Sequence, residues 1–250
     1  MGRLTEAIKH LLIINVLFYV AALVLNDQFF YSMALWFPKN PHFGLWQFVT
    51  HMFMHDKTSI FHIFFNMYAL WAFGSPLEQM WGRNKFLFFY FSAGLGAAMI
   101  HTLVNYYHFN AGYDALLSAG YSPDQIGDAL SKLTAGRYLN VPEIPESVMQ
   151  NFASAYTIPA VGASGAIYGI LVAFAMMFPN AELMLIFFPV PIKAKFFIPV
   201  IIALDLFSGV TGISIFGSGI AHFAHIGGAL FGFIMMWYWK RNQFNNNRWD

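Results

Sequence analysis

The chain contains no cysteine among its 250 residues. Disulfides, thiolate nucleophiles and cysteine-ligated zinc are therefore excluded. It is also poor in charge. Asp, Glu, Lys and Arg make up 10% of the residues, whereas soluble domains carry about 25%. The formal net charge is +1, which offers no basic surface, so a nucleic-acid partner is not expected. What fills the chain instead is apolar mass: 58% hydrophobic and 19% aromatic residues. This composition predicts a membrane protein with the lipid bilayer as its surroundings. Any chemistry must come from Ser, His, Asn, Asp, Glu, Lys or Tyr.

Long apolar runs fall near residues 8–25, 60–80, 86–104, 158–178, 196–210 and 220–239. About 20 apolar residues cross a bilayer as a helix. The predicted fold is therefore an all-α polytopic bundle of six transmembrane helices, read as one membrane domain over residues 1–250. The run at 183–192 is short and contains Pro189 and Pro191, which predicts an interfacial connection rather than a span. Asn26, Asp27 and Gln28 follow the first run where a signal peptide would carry small residues, so it is read as a retained span. With both termini in the cytoplasm, Arg3, Lys9, Arg83, Lys85, Lys193, Lys195, Lys240, Arg241 and Arg248 lie inside. Only Lys39, Lys57, Lys132 and Arg137 lie outside, as the positive-inside tendency requires.

Two external segments interrupt the pattern. Residues 28–59 are aromatic but broken by Pro38 and Pro41, and predict an embedded external hairpin after the first span. Residues 105–157 are polar and mildly acidic, and predict an external insertion with a helix over 122–135. Ser122 would cap that helix and Pro123 would open it.

Polar groups inside spans are costly, so each is a candidate for function. The fourth run opens Gly162-Ala163-Ser164-Gly165, with Tyr168 and Gly169 one turn on. A serine at a helix start exposes its hydroxyl beside free backbone N–H groups, which suits nucleophilic attack and oxyanion stabilisation. The same small residues also suit close helix packing. The sixth run places His225, Gly228, Ala229 and Gly232 on one face. Packed on the glycines of the fourth run, that face would bring His225 to Ser164 as a general base. His222 reads as an interfacial histidine bonded to a carbonyl. His62 and Asn66 share a face of the second run and could donate hydrogen bonds to an oxyanion or join helices. His51 and His55 have metal-ligand spacing only if they share a helix, and no third ligand is evident, so no metal is expected. Asp205 could be a buried acid, a cap or a proton relay. With no carboxylate assigned to His225, its ring is expected to be oriented by packing, in a site whose groups are all neutral at rest.

Together these pieces resemble the rhomboid family of intramembrane serine proteases. The resemblance rests on Thr50-His51-Met52-Phe53-Met54-His55, His62-Ile63-Phe64-Phe65-Asn66, Glu78-x-x-x-Gly82, Gly162-Ala163-Ser164-Gly165 and Ala224-His225-Ile226-Gly227-Gly228. It implies a Ser–His dyad falling on Ser164 (nucleophile) and His225 (general base). Oxyanion donors would be His62, Asn66 and the backbone N–H of Ser164, and Tyr168 would pack on the His225 ring. Gly162, Gly165, Gly228 and Gly232 would support the site. No cofactor is implied. The expected function is endopeptidase cleavage of single-span membrane proteins near the external interface; the alternative is a catalytically silent, client-binding relative. The family's Trp-Arg pair in the first hairpin is replaced by Trp46-Gln47.

Overall fold

The structure, a computed structural model, describes residues 4–134, 141–185, 188–213 and 221–246. Helix α1 (Glu6–Val24) is apolar on every side. Its side chains Ile13, Leu17 and Val20 are exposed, as lipid-facing groups are. Its start is fixed by Glu78, a buried carboxylate of α4 (Ile60–Trp81). Glu78 accepts from the N–H groups of Ala7 at 2.7 Å and Ile8 at 3.0 Å, and from the Thr5 hydroxyl. Those N–H groups have no partner inside their own helix, so the carboxylate both caps α1 and ties it to α4. Gly82, at φ 79°, then turns the chain directly into α5 (Arg83–Ser118).

Between α1 and α4 the hairpin forms α2 (Asp27–Met33), α3 (Gln47–Thr50) and one 3-10 turn (His51–Phe53). It leans inward: Leu35, Trp36, Phe37, Met52 and Met54 are buried. Gln47, standing where the family often carries arginine, is fully buried. Its Oε1 accepts from the Trp36 N–H at 3.2 Å. Its Nε2 donates to the carbonyls of His42 at 2.7 Å and of Tyr31 and Ser32 at 3.3 Å. A neutral amide, donor and acceptor together, thus holds both arms of the hairpin.

The helix of the third run continues into the residues read as the insertion. No glycine or proline follows residue 104 until Gly112, and α5 runs unbroken to Ser118. At 1.5 Å per residue its 36 residues reach about 54 Å, well past a hydrocarbon core of roughly 30 Å. Its C-terminal half packs on α6 (Pro123–Thr134) and α7 (Glu146–Thr157) around Phe109, Leu116, Ile126, Met149 and Phe152. Phe37 of the hairpin joins this second core. Ser122 and Gln125 cap α6 reciprocally, the Ser122 N–H donating to Gln125 Oε1 at 2.8 Å and the Gln125 N–H to Ser122 Oγ at 3.3 Å.

The fourth run, by contrast, is shorter as a helix than as an apolar stretch. Residues 158–163 are not helical, and α8 spans Ser164–Met177. Pro159 and the positive-φ Gly162 break the helix locally, and a backbone bridge pins the segment: Leu35 and Ala160 exchange N–H···O bonds of 2.9 and 2.8 Å. After α8 the proline-containing connection is an antiparallel ribbon, β1 (Glu182–Leu185) with β2 (Phe188–Lys193). Helices α9 (Ala194–Thr211) and α10 (His222–Asn246) complete the chain. By length and composition α1, α4, α5 and α9 are long and apolar enough to cross a membrane; α8 is apolar but has 14 residues. The chain is an all-α, polytopic membrane protein. Arg3, Arg137 and Arg248, part of the case for orientation, lie outside the described residues.

Candidate active site

The centre of the bundle is set by glycine. A Cβ built on Gly228 of α10 would stand 1.8 Å from the carbonyl oxygen of Gly165. One on Gly232 would stand 2.6 Å from the Gly169 Cα. Only hydrogen fits at these positions, so α8 and α10 touch backbone to backbone. That contact brings together residues 61 positions apart: His225 Nε2 lies 2.8 Å from Ser164 Oγ.

Ser164 is the first residue of α8, where backbone N–H groups lack carbonyl partners within the helix. It is delivered by Gly162, whose φ of 120° is a conformation that L side chains rarely adopt. A Cβ there would also meet His62 Nε2 at 3.0 Å. The Gly162 N–H is held by the His51 carbonyl at 3.0 Å. With the Leu35–Ala160 bridge, and Asn40 Nδ2 donating to the Tyr156 carbonyl at 2.7 Å, the hairpin fixes the segment leading into the serine.

His62 faces the same space. Its Nδ1 accepts from the Asp56 backbone N–H at 3.3 Å, so in the neutral ring the proton sits on Nε2, the atom beside Gly162. Asn66 lies one turn on and is buried. Its Nδ2 donates to the His62 carbonyl at 2.8 Å, which uses one of its two hydrogens, while Oδ1 has no partner among the described residues. No hydrogen bond joins Asn66 to Ser164 or His225 among the described residues. A narrow cavity lined by His51, His101, Gly94 and Ala97 opens beside Ser164.

Three expectations are corrected here. The His225 ring is not oriented by packing alone. Tyr168 does lie flat on it, with ring centres 4.2 Å apart and planes at 13°. But His225 Nδ1 also stands 3.0 Å from Asp205 Oδ2, across from α9. The site therefore contains a carboxylate and is not assembled from neutral groups only. His222, expected on a carbonyl, bonds Asp205 Oδ1 through its Nδ1. The Tyr168 hydroxyl donates to Asp205 Oδ2. The physical reason is the same in each case: a carboxylate inside the bundle draws every available donor to itself.

The remaining histidines stand apart. His51 opens the 3-10 turn and its Nδ1–H donates to the Gln47 carbonyl at 2.7 Å, whereas His55 follows the turn. They do not share a helix as a metal pair would. Among the described residues no group of three or more His, Cys, Asp or Glu side chains is arranged to hold a metal ion. Burial pushes His51 down to about 4, and burial with the neighbouring His62 pushes His55 down to about 3.

Sequence comparison places this geometry in a known lineage. A rhomboid-domain family profile matches residues 42–127 and 125–242. The presenilin-associated rhomboid-like protein of Bos taurus mitochondria is 31% identical over 181 residues, 72% of this chain and 34% of its own length. Mitochondrial rhomboid protein 1 of Saccharomyces cerevisiae is 26% identical over 186 residues, 74% of this chain and 39% of its own. The rhomboid protease AarA of Providencia stuartii is 26% identical over 197 residues, 75% of this chain and 53% of its own. The chain thus spans about a third to a half of the length of these relatives. The family profile covers the hairpin from residue 42 onward and the helices that meet at Ser164, and on that match the chain belongs to the rhomboid family.

Proposed function

We propose that the chain is an intramembrane serine endopeptidase that cuts single-span membrane proteins near the external face. The observation that carries this reading is the 2.8 Å contact between Ser164 Oγ and His225 Nε2 at the open start of a helix. Family membership supports the reaction class, and one relative, AarA, is named a protease. Both termini lie in the cytoplasm, six helices span, and the insertion stands outside.

On this reading Ser164 attacks the scissile carbonyl as His225 Nε2 takes its proton. The imidazolium then protonates the leaving amine, and water releases the acyl-enzyme. The negative charge on the tetrahedral oxygen falls among the Ser164 N–H, the His62 Nε2–H and the free hydrogen of Asn66 Nδ2. Tyr168 and the glycines at 162, 165, 228 and 232 hold these groups in register.

The short α8 explains how water reaches the site. Its 14 residues reach about 21 Å, less than a hydrocarbon core of roughly 30 Å, so Ser164 lies below the outer surface. Non-helical backbone at that depth must be buried in protein or face water, as residues 158–163 do against the hairpin. A substrate helix hides its carbonyls in its own hydrogen bonds. Spans weakened by Gly or Pro are therefore the preferred substrates.

The test is cleavage of a membrane-anchored single-span protein with Gly in its outer third, by purified protein in detergent or vesicles. Cleavage at one site, lost in Ser164→Ala and slowed when the substrate glycine becomes Leu, supports the reading. Binding of the substrate without cleavage would instead identify a silent client-binding relative.

A further inference from the structure

Asp205 is the one acidic residue in α8, α9 and α10, and its side chain is 1% exposed. An ionised carboxylate taken from water is expensive unless its lone pairs are met. Here three donors from two other helices meet them. Tyr168 of α8 and His225 of α10 share Oδ2, and His222, one turn before His225, takes Oδ1. No lysine or arginine pairs with Asp205 among the described residues. This is the unusual feature. Its partners are instead a phenol and two imidazoles, gathered on one carboxylate from α8 and α10.

We propose that Asp205 is the positioning residue for His225, completing a serine–histidine–aspartate relay across α8, α9 and α10. The inference rests on the protease reading above and deepens it. Its chemistry follows from the inventory of donors and acceptors. An ionised carboxylate only accepts, so the proton of the neutral His225 ring must lie on Nδ1. The lone pair then lies on Nε2, the atom facing Ser164, which is the tautomer a general base needs. When Nε2 takes the Ser164 proton the ring becomes the cation that Asp205 lacks. Its attraction to the carboxylate is realised only as the tetrahedral intermediate forms, so it lowers the barrier rather than tightening substrate binding. The carboxylate neither gains nor loses a proton in the cycle. Tyr168 contributes twice, holding the ring face with its own ring and the carboxylate with its hydroxyl. His222 occupies the second oxygen and so keeps Asp205 from rotating away from His225.

Two measurements on the full chain in detergent test the role. In Asp205→Asn, kcat on a single-span substrate should fall at least about 100-fold with KM held within about threefold, because the amide fixes the wrong tautomer without touching substrate. A role in packing alone would instead show as a lower melting temperature, with kcat per folded molecule within about threefold of wild type; that result overturns the proposal. The second measurement needs no folded variant at position 205. In protein labelled with ¹⁵N-histidine, the resonances absent from His225→Ala should report a strongly deshielded proton on Nδ1 and an unprotonated Nε2. A proton on Nε2 in the resting enzyme overturns the proposal. Wild-type protein that cleaves no substrate removes the protease reading, and the histidine spectrum alone then decides whether Asp205 holds the ring.

Discussion

Gly228 and Gly165 meet with no room for a methyl group: a Cβ on Gly228 would lie 1.8 Å from the Gly165 carbonyl oxygen. The obstacle is backbone, which cannot rotate away as a side chain can. Gly228→Ala should therefore push α10 off α8 and lengthen the Ser164–His225 contact. Overpacking of this kind costs about 1–3 kcal/mol. A lowered melting temperature and loss of most activity are expected. Gly120, with φ 91° and no atom near its Cβ position, is the comparison site: Gly120→Ala should strain one turn and leave activity unchanged.

Asn66 tests the oxyanion assignment. Its Nδ2 already holds the His62 carbonyl, and the second hydrogen is the one available to a developing charge. Asn66→Ala should lower kcat by about 10²–10³, with substrate affinity nearly unchanged. An equal rise in KM with kcat constant would assign Asn66 to binding instead.

Gln47 tests the hairpin. Removing its amide leaves the buried Trp36 N–H without its partner and takes a donor from the His42 carbonyl. An unsatisfied buried group costs about 1–3 kcal/mol. Gln47→Leu, similar in size, should lower the melting temperature by several degrees. Because the hairpin also holds residues 160–162 before Ser164, activity should fall with it. Gln47→Arg restores donors but supplies no acceptor for Trp36 and should rescue only in part.

The hairpin histidines predict a pH dependence of stability. His51 and His55 sit at about 4 and about 3 in the folded protein, whereas an unfolded histidine takes its proton near 6.5. Between these values the unfolded chain binds more protons, so stability rises with pH and falls as pH drops from 6.5 toward 4. Each ring contributes up to about 1.4 kcal/mol per pH unit in that window. Melting in detergent should be lower at pH 5 than at pH 7, and the difference should shrink in His55→Phe. A melting temperature unchanged between pH 7 and pH 5 would refute it.

Much of this arrangement is legible in the sequence because it depends on short-range chemistry. Apolar runs mark helices, Ser122 and Pro123 mark a helix start, and glycines four residues apart mark where α8 and α10 approach. The nearness of Ser164 and His225 follows from that approach. Asp205 is visible as a costly acid inside a span, but its partners are not. It lies 20 residues before His225, on a different helix, and no periodicity links them. The true start of α8 is legible in part: Pro159 and Gly162 break a helix within the apolar run, whereas the pairing of Ala160 with Leu35 that pins the segment is long-range and invisible to periodicity. The length of α5 was the opposite case, with a polar composition masking an unbroken helix.

The central claim is that Ser164 is a nucleophile activated by His225. It is tested most directly by labelling with a fluorophosphonate probe in detergent, comparing wild type with Ser164→Ala and His225→Ala. A covalent adduct at Ser164 in wild type, absent from Ser164→Ala and strongly reduced in His225→Ala, is the predicted result. Labelling that persists in Ser164→Ala, or wild-type protein that cleaves substrate while Ser164 stays unlabelled, would contradict it.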